Sequence, residues 1–158
     1  MIQASELRLG NLVLVDNQRY HPKLKNVPVI VTGIEKKTLT SDQKQSFPFS
    51  DSSIRVMPTK GDLKGLEIGQ LNEFIKPIEL TEERLLQCGF RKNKTRSSVI
   101  YFLPIPNLRM EIHATFFHGQ FIIELVNHVL PIVTEVRFLH QLQNLYFVLT
   151  EKELEIKL

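Results

Sequence analysis

The hydrophobic and polar positions change period several times along the chain, and each change marks an element. LVLVD (12–16) follows a turn signal at Gly10 and Asn11 and predicts a strand. VPVIVTGI (27–34), rich in β-branched residues and bounded by Pro28 and Gly33, predicts another. Polar segments such as EKKTLTSDQKQS follow, then a short strand at SIRVM (53–57). The three glycines of GDLKGLEIG (61–69) mark a connection. These elements predict a small twisted sheet, SH3-like or barrel-like, over the first part of the chain.

A helix is expected at TEERLLQC. The Thr81 hydroxyl can accept a free amide of the first turn, and Glu82 and Glu83 sit where the helix dipole favours anions. Gly89 supplies the left-handed stop, with Phe90 packing back behind it. Residues 97–126 read as a β-meander: SVIYFL, a turn at PIPN, then LRMEIHATFF and QFIIELV joined at His118 and Gly119. A two-residue turn there fixes the register. Phe116 then opposes Phe121, Ala114 opposes Ile123 and Ile112 opposes Leu125 on an apolar face. Phe117 with Gln120, Thr115 with Ile122 and His113 with Glu124 form the other face.

A second helix is predicted over 135–149, with Phe138, Leu139, Leu142, Leu145, Tyr146 and Leu149 inside an arc of roughly 120°. That arc would cover the meander's apolar face. ELEIKL alternates strictly and predicts a closing strand. The expected class is α+β. A β-rich subdomain, 1–76, packs on an α+β subdomain, 77–158, as one compact unit.

Composition narrows the function classes. With 158 residues, 42% of them apolar and 23% charged, the chain is of ordinary soluble, globular type. A net charge of +3, spread evenly, is too mild to imply nucleic acid by itself. The single cysteine, Cys88, excludes an internal disulfide and a Cys-based zinc site. No signal peptide and no apolar run of membrane-spanning length is visible, so a cytoplasmic location without membrane insertion is expected.

The candidate chemistry is sparse. RKNKTR places Arg91, Lys92, Lys94 and Arg96 in a basic loop that could neutralise a few phosphates, although no aromatic is interleaved with them. It reads otherwise as a solvated hairpin tip. His113 beside Glu124, with Glu111 two residues earlier, is the minimum for acid–base work, but nothing places a nucleophile nearby. The histidines at 21, 113, 118, 128 and 140 lack metal-ligand spacing, and no phosphate-cradling glycine motif occurs. No metal or cofactor is therefore expected. Cys88, at a helix C-terminus, is expected to be unreactive. On the second helix, His140, Asn144 and Phe147 form a stripe opposite the apolar arc, and no charge occurs between Arg137 and Glu151. Such a face suits a covered surface. The cover would be the N-terminal subdomain, a protein partner or a second copy of the chain.

Three stretches carry a resemblance: ELRLGNLV (6–13), PIELTEERLLQCGF (77–90) and FLHQLQNLYFVLTEKELEI (138–156). Through them the chain resembles a family of short uncharacterised proteins from gut Bacteroidetes genomes, their phages and mobile elements. That family often carries Gly where this chain has Glu151. The resemblance implies a setting in phage or mobile-element biology and brings no activity, cofactor or catalytic residue. The function expected is a non-enzymatic interaction or accessory module, with His140, Asn144 and Phe147 at its contact surface. The alternative is weak nucleic-acid binding through residues 91–96.

Overall fold

A computed structural model describes residues 2–37, 40–47, 50–95, 98–105, 108–126 and 132–157. The protein is α+β, with antiparallel sheets and a C-terminal helix. It divides into two compact units, Met1–Ile78 and Glu79–Leu158.

The first unit is built on β1 (Leu12–Val15), β2 (Val27–Lys36), β3 (Ser52–Pro58), β4 (Ile68–Leu71) and β5 (Ile75–Lys76), in the sheet order β4-β3-β2-β1-β5. Residues on β3 alternate between buried and more exposed, as one-sided burial requires. Val13, Val15, Val29, Val31, Ile54, Val56 and Ile75 form the core, each at most 1% exposed. The β2–β3 register shifts between Val31 and Gly33, and such a bulge bends and curls a sheet. A Cβ at Gly33 would stand 2.4 Å from the Arg55 guanidinium, which would have to swing aside to admit it. A short helix, α1 (Ser41–Ser46), lies in the polar segment EKKTLTSDQKQS, and the short strands β4 and β5 carry no clear periodic signal in the sequence.

The second unit is a sequential meander. It comprises α2 (Glu82–Gln87), β6 (Arg91–Lys94), β7 (Val99–Ile105), β8 (Met110–Phe117), β9 (Gln120–Val126), β10 (Ile132–Val136) and α3 (Leu139–Thr150), in the order β10-β9-β8-β7-β6. The β8–β9 register pairs Phe116 with Phe121, Ala114 with Ile123 and Ile112 with Leu125, as the two-residue turn demands. On its apolar face Ile112, Ala114 and Ile123 are completely buried, and only Phe116 at the tip is exposed. Thr81 caps α2, its hydroxyl accepting from the Arg84 amide at 3.2 Å, and Gly89 follows at φ +86.

Three expectations are corrected. Residues 91–94 are a strand paired to β7, because each extended residue there finds a ladder partner from Val99 to Phe102. The C-terminal helix begins at Leu139, since Glu135 and Val136 extend β10 by pairing with Ile122 and Phe121. ELEIKL is not a strand. Leu154 is buried, and Lys157 donates its amide to the Gln87 carbonyl at 3.0 Å, so the segment lies against the end of α2 without a ladder.

Candidate functional site

The second unit contains a cleft of about 980 Å³. One wall is the approach to α2, from Glu79 to Glu82. The opposite wall comes from the β6–β7 hairpin, with Lys94, Ser98, Val99 and Tyr101, and from the β8–β9 tip. The approach to α2 is tied to the start of α3, where Glu79 bridges Phe138 and the Leu80 amide donates to the Arg137 carbonyl at 2.9 Å.

The tip carries the unusual feature. His118 (φ +47) and Gly119 (φ +86) form a left-handed turn matched to strand twist, so Phe116 and Phe117 are held on a fixed hairpin. Phe116 is 60% exposed and Phe117 59%. Two adjacent phenyl rings in water on an ordered turn favour a surface that becomes covered. Phe116 meets Phe121 edge-on at 5.2 Å and Phe117 lies 4.1 Å from the His118 ring, which limits their freedom.

Charges in the cleft are largely answered within it. The Lys92 ammonium reaches Glu82 Oε1 at 2.5 Å, and the Tyr101 hydroxyl donates to Glu82 Oε2 at 2.7 Å. The Lys92 bond first, then that of Tyr101, holds the Glu82 carboxyl below its usual range. Tyr101 is shifted upward, by burial first and then by Glu82. Glu79 faces Arg137 at 3.9 Å. Lys94 also lines the cleft, and no carboxylate pairs with it among the described residues. The arrangement suits binding an apolar group beside an anion. It offers no assembled nucleophile and base.

Of the basic cluster, Arg91, Lys92 and Lys94 lie exposed on β6, and Arg96 lies outside the described residues. An aromatic absent from the RKNKTR sequence is supplied through space by Phe116, which shares the face of Lys94 at the cleft, while Phe117 at the same tip projects to the other face of the sheet. His113 stands opposite Glu124 in register, but its Nε2 bonds Glu111 Oε2 at 2.8 Å, away from the residues that line the cleft. No group of three or more potential metal ligands occurs among the described residues, and His128 lies outside them. Burial pushes the Cys88 thiol up to about 12, whatever the nearby Arg84 offsets, so it stays protonated.

The helical stripe is divided. His140 is 1% exposed and Gln143 2%, whereas Asn144 and Phe147 are half-buried. The buried face of α3 runs through Leu139, His140, Leu142 and Gln143, rotated from the apolar arc toward the stripe. His140 is buried, with its ring stacked on that of Phe138 at a centroid distance of 5.9 Å, so of the three stripe residues Asn144 and Phe147 are the ones left at the surface. The aromatic tip was overlooked in the sequence. Its signal was present: alternation must send one of two adjacent phenylalanines to each side of the sheet.

No helix among the described residues is long and apolar enough to cross a membrane. Comparison of the chain with protein-family models, curated proteins and solved structures gives no match.

Proposed function

We propose that this protein is a non-enzymatic interaction module whose contact surface is the cleft of the second unit, centred on Phe116 and Phe117. The observation that carries this reading is the exposed phenylalanine pair, fixed on a tight turn beside Lys94. Exposed aromatics rimmed by polar groups are the usual anchors of protein interfaces. The setting we assign is a cytoplasmic accessory role in phage or mobile-element biology, supported by the sequence resemblance and the unpaired, buried Cys88.

We read the first unit as an SH3-like barrel. Support comes from its strand order, with β5 returning to β1, and from the 3-10 turn Asn72–Phe74 immediately before β5.

Selection of a displayed random-peptide library on the purified chain tests the interaction reading. Peptides are expected to be enriched and to lose binding to the F116S/F117S double variant. Enrichment that survives the double substitution, or no enrichment, defeats the reading. A second reading, weak binding of single-stranded nucleic acid, is favoured by Lys94 lining the same cleft as Phe116. It requires retention that weakens steeply with salt and is lost on neutralising Arg91, Lys92, Lys94 and Arg96.

A further inference from the structure

We infer that the open edge of β6 receives an extended, acidic segment of another protein as an added strand, with an apolar side chain of that segment seated in the cleft. This rests on the interaction reading above and names the chemistry of the partner.

β6 is the last strand of its sheet, and all four of its residues are exposed. The Thr95 amide donates to the Ser98 carbonyl at 2.9 Å, which makes 95 and 98 a hydrogen-bonded pair. In an antiparallel ladder such pairs alternate, so Asn93 opposite Ile100 and Arg91 opposite Phe102 turn their main chain toward β7. Lys92 and Lys94 therefore present their N–H and C=O groups outward. A strand laid alongside would find two such residues to bond, the requirement for adding a strand to a sheet edge.

The side chains specify what that strand carries. Lys92 lies over the Tyr101 ring at 5.7 Å and Lys94 lines the cleft, so both occupy the cleft side. Arg91 and Asn93 project to the other side. Glu82 engages Lys92, whereas Arg91 and Lys94 have no carboxylate partner among the described residues. One uncommitted cation thus stands on each side of the edge, which complements carboxylates on both faces of an incoming strand.

The alternatives fit less well. Two copies meeting at β6 would set Arg and Lys against Arg and Lys, and like charges opposed across strands destabilise the pair. A nucleic-acid backbone, which carries no matching row of donors, would leave the outward carbonyls to water.

Fluorescence anisotropy with three labelled probes tests the inference: a peptide repeating Glu-Glu-Val-Phe, which puts carboxylates on both faces of an extended strand, its Lys-for-Glu counterpart, and a mixed-sequence single-stranded oligonucleotide. The acidic peptide is expected to bind, with the counterpart at least tenfold weaker, roughly 1.4 kcal/mol. K94P removes the outward donor together with the Lys94 charge and is expected to weaken the acidic peptide by more than K94Q, which removes the charge alone and keeps the donor; K94E is expected to weaken it through charge by a similar factor. Amide exchange at Lys92 and Lys94 should slow in the wild-type complex, a readout that stands even if K94P fails to fold. Equal binding of both peptides, unchanged exchange at these two amides, or tighter binding of the oligonucleotide overturns the inference. If the acidic peptide fails while display-selected peptides still depend on Phe116 and Phe117, the added strand is wrong and the interaction reading stands. Loss of both defeats both.

Discussion

The Tyr101 hydroxyl donates a 2.7 Å hydrogen bond to Oε2 of Glu82, fastening the first turn of α2 to β7. Lys92 holds the other oxygen of the same carboxylate, so one side chain ties the helix start to two strands. The cleft wall is fixed by this junction.

That junction sets a pH dependence. The Glu82 carboxyl is held low, by Lys92 first and Tyr101 second, so its contribution is present above the unfolded value and is lost as pH falls through the folded one. Tyr101 is raised by burial and Glu82, and Lys92 by Glu82. The support they draw from Glu82 is present below their ordinary values and fades as pH rises through the raised ones. The difference in urea midpoint between the wild type and E82Q should be clear at neutral pH and shrink below about pH 4.3. A difference that stays constant through the acid range would contradict this assignment.

Gly119 is a backbone requirement. At φ +86, with nothing within 4 Å of the position a Cβ would take, G119A meets only conformational strain. A loss on the order of 1 kcal/mol is expected from denaturant unfolding, with the slope unchanged.

Glu151 caps α3 in the left-handed conformation, φ 56, and donates its amide to the Phe147 carbonyl at 2.7 Å. Glycine takes that conformation without a Cβ penalty. E151G should therefore raise stability by about 0.5–1 kcal/mol, read as a higher unfolding midpoint. A lower midpoint would mean that the Glu side chain contributes more than the backbone strain costs.

Core and tip should respond in opposite ways. Ile123 is fully buried on β9, and I123A should cost about 2–5 kcal/mol through the cavity it leaves. F117S, at a residue 59% exposed, should change stability by no more than about 0.5 kcal/mol while abolishing peptide binding. Equal thermal shifts for the two variants would show that the tip is structural.

The β8–β9 hairpin was fully legible because two constraints agree there: strict alternation and a turn that admits one register. The cap at Thr81 and the stop at Gly89 were legible for the same reason, each following from one residue's local chemistry. β6 was obscured because an edge strand needs no apolar face, and four exposed residues in RKNK look like any polar loop. ELEIKL erred the other way. Its alternation reports burial on one side, as at Leu154, and a ladder also needs a neighbouring strand.

By itself, then, the sequence determined the α+β class, the three central strands of the meander with the β8–β9 register, and the cap and stop of α2, because these depend on neighbours close along the chain. Tertiary structure decided the site. Lys94 and the two phenylalanines are far apart in sequence, and they share a cleft only because β7 and β8 fold back between them. It also decided that His140 is interior, since the periodicity of a helix marks its apolar arc and says nothing of what packs on the opposite face.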